Sequence, residues 1–415
     1  MEAQQLSTRA IHVGSEPDPY TNAVIPPLSL STTFVQNGVG NLGGGGFEYS
    51  RSANPNRQAL ESNLASLENG SDAFAFSSGS AATQCAIQML STGAHVLSVS
   101  DVYGGTFRYL AKVGSAVQGL ETTFIDLNDD EKVIYDAIRD NTKLIWIETP
   151  TNPTLRVIST ETIVRIAKSH PAKPLILVDN TFLSPYFSNP LDHGADIVLH
   201  SISKYIGGHS DVIMGALIVR KGLPEVSDKI RFLQNAGGSI PSPFDCYLTT
   251  RGIKTLALRS IQHGISAHAV ASFLENHPLV DSVIYPGLPS HPSHSIAKKA
   301  VALRVWKDLK KRGVSKESEE GFPFGGMVSF RIKGGAAEAD RFLTASHLFT
   351  LAESLGGVES LAEVPDKMTH AGIPEEERLK LGITPNFIRL SVGIEDTDDL
   401  LADLNYALQT AVGGK

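Results

Sequence analysis

Three short segments of this chain are apolar on both faces rather than alternating: Leu144-Ile-Trp-Ile-Glu148, Leu175-Ile-Leu-Val-Asp179 and Ile197-Val-Leu-His200. A strand of that kind must be covered on both sides, and helices packed on each face of a parallel sheet do this. Similar runs are predicted at Ala73 to Phe76, His95 to Ser98, Thr123 to Asp126 and Ile213 to Val219, with amphipathic helical stretches between them. Strand and helix in alternation predict an α/β fold, with a mostly parallel seven-stranded sheet and helices on both faces. After about Thr250 the pattern changes. A long helical stretch runs from Ile253 towards Leu274, and strands near Val283, at Met327 to Ile332 and at Phe387 to Val392 alternate with helices, which predicts a smaller α+β domain.

The chain therefore divides into an arm (1–54), a large domain (55–250) and a C-terminal small domain (251–415). The arm carries Pro26, Pro27 and the tract Gly43 to Gly46. Such a tract can cradle a phosphate, but neither a lysine nor a strand-to-helix turn follows it, so it reads as a flexible loop. The run from Trp306 to Glu320, with Lys310, Lys311, Arg312, Glu317, Glu319 and Glu320, reads as a solvated surface insertion without chemistry. No internal repeat of fixed period is present.

Composition excludes several classes. A hydrophobic fraction of 41% against 19% charged residues, over 415 residues, suits a globular protein with a large core. The net charge of -8 argues against a nucleic-acid partner. No apolar run approaches the roughly 18 residues that a bilayer span needs. The first residues lack the layout of a secretory or transit leader, so the cytoplasm is the expected compartment. Two cysteines, Cys85 and Cys246, are too few for a disulfide framework or a zinc site and are expected to be buried free thiols.

In open α/β sheets, ligands bind beyond the carboxyl ends of the strands. There, Asp179 closes one strand, followed by Asn180 and Thr181. Lys204 follows the next strand after Ser201 and Ser203, and precedes Gly207 and Gly208. An amine for a Schiff base, a carboxylate for a ring nitrogen and hydroxyls for a phosphate are the set that pyridoxal phosphate requires. Taken singly, each is also an ordinary surface group. Ser78, Gly79 and Ser80 end a strand and open a helix, where an anion is favoured, although a plain helix cap has the same residues. Tyr103 could stack on a ring or simply pack. Asn152 sits in an Asn-Pro turn. Arg389, among apolar neighbours on a late strand, needs either a substrate carboxylate or a structural partner.

With these residues stand longer blocks: Phe47-Glu-Tyr-Ser-Arg-Ser52, Asp101-Val-Tyr-Gly-Gly105, Trp146-Ile-Glu-Thr-Pro-Thr-Asn-Pro153, Val178-Asp-Asn-Thr-Phe182, Leu351-Ala-Glu-Ser-Leu-Gly-Gly357 and Ile388-Arg-Leu-Ser-Val-Gly-Ile-Glu395. By these blocks the chain resembles, from about Ser7 to Leu408, the Cys/Met-metabolism family of pyridoxal-phosphate enzymes, which have fold type I. The resemblance implies that Lys204 carries the cofactor, that Asp179 pairs with its ring nitrogen and that Tyr103 stacks on the ring. It also implies that Ser78, Gly79, Ser80, Thr181, Ser201 and Ser203 bind the cofactor. Many relatives have threonine where this chain has Ser203, and the hydroxyl survives the exchange. Tyr49 and Arg51 would reach the phosphate of a neighbouring subunit, in a tetramer with shared sites. Asn152, Arg389, Ser354, Glu48, Glu353 and Arg108 would bind an amino-acid substrate. Glu48 and Glu353 suit the distal ammonium of L-cystathionine, so the implied reaction is its α,γ-elimination to L-cysteine, 2-oxobutyrate and ammonia. The alternatives are the γ-replacing synthase reaction, a β-lyase, and a non-catalytic protein that binds pyridoxal phosphate.

Overall fold

The computed structural model describes residues 4–314 and 320–413. The arm contributes a short helix, Leu6–His12, and an antiparallel ribbon of β1 (Gln36–Gly38) and β2 (Asn41–Leu42). The large sheet then takes in β3 (Asp72–Phe76), β4 (His95–Val99), β5 (Glu121–Ile125), β6 (Thr142–Glu148), β7 (Leu175–Asp179), β8 (Ile197–Ser201) and β9 (Gly215–Val219). Their order across the seven-stranded sheet is β3-β9-β8-β7-β6-β4-β5. The contiguous pairs from β8 to β5 are parallel, and β9 alone runs against its two neighbours, β8 and β3. The mostly parallel sheet read from the sequence is the one observed. Trp146, Ile147, Leu177, Val198 and Leu217 are fully buried, as strands covered on both faces require.

Register places the chemistry. Asp179 lies opposite Glu148 of β6 on one side and Leu199 of β8 on the other. The carboxyl ends of three adjacent strands therefore present Glu148, Asp179 and Ser201 side by side.

A second, five-stranded sheet has the order β10-β11-β14-β13-β12, from β10 (Val280–Ile284), β11 (Met327–Ile332), β12 (Thr350–Leu351), β13 (Leu361–Glu363) and β14 (Phe387–Ser391). The strands at 350–351 and 361–363 carry no sequence signal because two or three residues are too few to show a period. The helical stretch expected from Ile253 towards Leu274 is the helix Leu256–Glu275, and a separate helix, Pro243–Ile253, precedes it.

The charged run needs correction. Its first part is the helix Leu303–Lys311, which buries Val305, Trp306 and Leu309 while its lysines stay outside. Trp306 packs on Phe322, with ring centroids 5.0 Å apart. This is an amphipathic docked helix rather than a solvated insertion. Glu317 and Glu319 lie outside the described residues.

Arg259, on the second long helix, holds the turn that carries Lys204. Its Nη1 donates to Tyr205 O at 2.7 Å, and its Nη2 to Ile206 O at 3.2 Å and Gly252 O at 2.9 Å. Burial lowers its pKa to about 10. Two of these carbonyls, those of Tyr205 and Ile206, depend on the one buried cation, while Gly252 O also accepts from Thr255 N at 3.2 Å. Arg259→Met is expected to cost about 2 kcal/mol or more, because it leaves those two unsatisfied. The check is a fall in the urea midpoint at unchanged slope.

Candidate active site

At the end of β7, Asp179 accepts two hydrogen bonds on Oδ1, from Thr181 N at 3.0 Å and from Thr181 Oγ1 at 2.6 Å. The same Thr181 hydroxyl accepts from Ser201 N at 2.8 Å. Thr181 is thereby committed to joining the two strand ends. Burial raises the pKa of Asp179, while the Thr181 bonds and the nearby His200 oppose the rise. Glu148 is raised further, by burial and then by Asp179 itself. Two adjacent buried carboxyls share one negative charge more easily than two. The donors from Thr181 favour keeping that charge on Asp179.

Helix Gly79–Gln88 begins against β8. Ser78 is its N-cap, its side chain accepting from Ala81 N at 3.0 Å. A Cβ at Gly79 would lie 3.1 Å from Ser201 Cβ and force Ser201 to give by a few tenths of an ångström, so glycine lets the helix N-terminus sit this close without displacing it. Ser80 is exposed beside it. Ser203 Oγ accepts from Met214 N at 2.9 Å and lies 3.3 Å from Met214 O. Its proton can turn to another acceptor without loss of the first bond.

Lys204 Nζ donates to Ser354 Oγ at 2.8 Å. Burial, then the positive charge of Arg389, lowers the Lys204 pKa to about 8, against the pull of Glu363 and Glu353. Ser354 has φ of 100°, a left-handed conformation that is costly for a residue with a Cβ. Its carbonyl is held by Arg389 Nη2 at 2.9 Å. Arg389 Nη1 also donates to Asn152 Oδ1 at 2.9 Å and lies 3.0 Å from Glu363 Oε1. A guanidinium has five N–H donors. Three are engaged here, and Nε is buried without a partner. Two donors remain, as many as a carboxylate has oxygens.

Sequence reasoning missed Glu363. It lies on β13, accepts from Thr369 Oγ1 at 2.7 Å, and has its pKa raised by burial against the opposing charge of Arg389. His370 contacts Thr369 Oγ1 at 2.9 Å and Asn152 O at 3.2 Å, closing a ring Arg389–Glu363–Thr369–His370–Asn152. Glu148 was missed as well. Its Oε2 accepts from Tyr103 N at 2.9 Å and so fixes the start of the Tyr103 loop.

The Tyr103 ring is 44% exposed. A Cβ at Gly105 would stand 2.4 Å from Tyr103 Cε1, so this glycine makes room for the ring. The protein's own groups raise the Tyr103 pKa, through burial and then Glu353 and Glu148, although Arg108 and Arg389 pull the other way. A lowered phenol is thus not a property of the polypeptide alone. Glu353 is exposed but within electrostatic reach of Lys204, Arg389 and Tyr103. Glu48, Tyr49 and Arg51 are exposed on the arm, and among the described residues none of their side chains hydrogen-bonds to this cluster. One copy of the chain does not bring them to Lys204. Both cysteines are buried free thiols, as expected, and burial raises each to about 12.

The sequence matches the family described as Cys/Met metabolism PLP-dependent enzyme over residues 7–305 and 307–409. The chain belongs to this family. Members close to it include cystathionine gamma-lyase of Saccharomyces cerevisiae, 50% identical over 99% of this chain and 98% of that protein. Cystathionine gamma-synthase of Mycobacterium leprae is 49% identical over 97% of this chain and 96% of that protein. The crystal structure of cystathionine gamma-lyase from yeast superposes with a TM-score of 0.88 at 48% identity, covering 99% of each chain. The fold is that of the fold-type-I pyridoxal-phosphate enzymes, and the cofactor is pyridoxal phosphate. The residues present fit it: a buried amine of lowered pKa, a carboxylate with no protein donor recorded on Oδ2, and a helix N-terminus closed onto a serine.

Covalent attachment of an aldehyde needs the neutral amine of Lys204. The rate at which pyridoxal phosphate recombines with the cofactor-free protein is expected to rise with pH and to be half-maximal near 8, following the Lys204 pKa. A midpoint near the ordinary lysine value of about 10.4 would contradict the site as described.

Proposed function

We propose that this protein cleaves L-cystathionine and water to L-cysteine, 2-oxobutyrate and ammonia, as a carbon–sulfur lyase. The observation that carries this reading is full-length similarity to proteins named cystathionine gamma-lyase, at 50% identity for the yeast protein. The γ-replacing reaction is the second reading, because a gamma-synthase matches at 49%. Glu48 and Glu353, acids suited to the distal ammonium of cystathionine, fit both readings and favour them over a lyase acting on methionine, which lacks that ammonium.

When bound, pyridoxal phosphate supplies an electron sink for the bonds broken at the substrate's α-carbon. The chain's own groups do the rest. Asp179 holds the ring nitrogen protonated, and Thr181 keeps its carboxylate aimed. Ser78, Gly79, Ser80, Ser201 and Ser203 hold the phosphate. Lys204 would hold the cofactor through its amine, and that amine, when free, would move protons at Cα and Cβ of the substrate. An amine with a pKa of about 8 is matched to that task near neutral pH. Ser354 positions that amine. Arg389 and Asn152 hold the substrate carboxylate, while Tyr103 stacks on the ring and exchanges the proton of the substrate amine or the leaving thiolate. Arg108 and Glu353 line the approach.

The division into an arm (1–54), a large domain (55–250) and a small domain (251–415) serves this arrangement. The arm carries Glu48, Tyr49 and Arg51 to the site of a second copy, in a homo-oligomer that we take to be a tetramer. In support, the arm exposes Val24 by 81% and Leu30 by 67%, apolar surface that a neighbouring copy can cover. Among the described residues no helix is long and apolar enough to cross a membrane. The two free thiols favour a reducing compartment, the cytoplasm.

The deciding experiment supplies cystathionine to the holoenzyme and identifies the products. Cysteine with 2-oxobutyrate supports the lyase. Homocysteine with pyruvate means a β-lyase. Absence of cleavage, with cystathionine formed from cysteine and an activated homoserine, means the synthase. Lys204→Ala is expected to lose at least about 10²–10⁴-fold in turnover together with the absorbance of the lysine-bound cofactor. For Glu353→Ala, kcat/KM for cystathionine should fall about tenfold more than for a short γ-substituted amino acid without a distal ammonium. Equal losses on the two substrates would remove Glu353 from the specificity assignment.

A further inference from the structure

Behind the large sheet lies a buried carboxylate that the reaction does not touch. Helix Pro55–Leu67 ends at Glu68, its C-cap, and the side chain is fully buried. Three N–H groups converge on its two oxygens. Asn180 Nδ2 donates to Oε1 at 3.0 Å, His200 Nε2 to Oε1 at 2.6 Å and Asn189 Nδ2 to Oε2 at 2.7 Å. A carboxylate oxygen accepts only, so the proton of His200 sits on Nε2; its Nδ1 is buried without a partner. The second amide protons are also taken, by Ser188 O for Asn180 and by Leu67 O for Asn189, each at 3.0 Å.

The positions of the donors give the cluster its meaning. Asn180 stands between Asp179 and Thr181, and His200 directly precedes Ser201. Successive residues of a strand point to opposite faces. Asp179 and Ser201 therefore face the cleft while their neighbours Asn180 and His200 reach Glu68 on the other side. The backbone is locked between the two: Asn180 N donates to Leu199 O at 3.0 Å, and Ser201 N to Thr181 Oγ1 at 2.8 Å. The cluster extends outward through Asn189 Oδ1, which accepts from Arg304 Nη2, and Arg304 Nε donates to Tyr186 O at 2.9 Å. Arg304 lies on the docked helix Leu303–Lys311. A chain of hydrogen bonds thus runs from the buried carboxylate through Asn189 to a guanidinium that lies within its electrostatic reach.

We propose that Glu68 is a positioning residue for the cofactor, clamping the ends of β7 and β8 from behind so that Asp179, Thr181 and Ser201 keep one separation. The proposal rests on the cofactor site described above. Glu68→Gln keeps one acceptor oxygen, which can still take Asn180 and His200, but it removes the negative charge that those two strand-end donors meet and sets an N–H against the Asn189 amide, so the clamp on the strand ends is weakened.

The test compares wild-type and Glu68→Gln holoenzyme by cofactor dissociation constant, visible absorbance of the bound cofactor, and kcat and KM on cystathionine. About a tenfold weaker hold on pyridoxal phosphate is expected, the worth of a charged hydrogen bond, with kcat reduced and KM within about twofold because Arg389 and Asn152 are untouched. His200→Phe removes one donor and keeps the carboxylate, so a loss of about threefold in the same direction is expected. This second variant keeps the test open should Glu68→Gln fail to fold. A soluble variant with a lowered melting temperature but an unchanged dissociation constant and absorbance would overturn the proposal and leave Glu68 a purely structural residue. The dissociation constant can be read whatever the amino-acid substrate proves to be. Failure of the lyase reading is therefore distinguishable from failure of this one.

Discussion

The parallel pairing of β7 with β8 sets the distance between Asp179 and the turn that carries Lys204, and the Thr181 hydroxyl fastens that pairing at its open end. Beyond the last ladder bond a strand end is free to fray, because nothing in the sheet satisfies its next N–H. Here Thr181 Oγ1 takes the Ser201 N–H at 2.8 Å and passes its own proton to Asp179 at 2.6 Å. One side chain closes the sheet, orients the carboxylate and opposes the rise that burial imposes on its pKa. The helix N-terminus at Gly79 can approach Ser201 only because that end is fixed.

The substrate-facing half of the cleft is organised by charge rather than by sheet geometry. Arg389 is fully buried and would be expensive without an anion. Glu363 supplies one at 3.0 Å, and Asn152 and the Ser354 carbonyl take two further donors. The guanidinium lies against Asn152 after β6 as well as Ser354 and Glu363, so binding a carboxylate on its remaining donors draws on contacts already made. Ser354 links the halves. Its carbonyl is held by Arg389, its hydroxyl by Lys204, and the positive φ of 100° is maintained by the two together.

Much of this was legible in the sequence, and the reason is local. Asp179 and Lys204 each end or follow a strand whose apolar run announces it, and Arg389 interrupts another. The sheet itself was legible for the same reason. The partners of these residues were not. Glu363 reaches Arg389, and Glu68 reaches His200 from 132 residues away, by tertiary contacts that leave no periodic trace. The strand at 361–363 that carries Glu363 is too short to show alternation. The run after Trp306 failed differently. Its charges dominate the composition, yet the residues that dock the helix, Val305, Trp306 and Leu309, are three among many. The arm's Glu48, Tyr49 and Arg51 belong to surface that a single copy leaves unused.

Three buried glutamates stand one step behind the groups that face the cleft: Glu148 beneath the Tyr103 loop and beside Asp179, Glu363 beneath Arg389, and Glu68 beneath the ends of β7 and β8. A buried carboxylate is costly to desolvate, and replacing one with a well-packed apolar residue often stabilises a protein. Their return is therefore not stability. Each gathers two or more donors whose directions are fixed, and a group so held has no second arrangement of similar energy. That is what a site needs when an amine must be presented to one carbon and then to its neighbour. Glu363 also balances charge across the site, where burial and then Arg389 lower the Lys204 pKa to about 8 while Glu363 and Glu353 oppose them. Remove Glu363 and both the geometry around Arg389 and that balance change together.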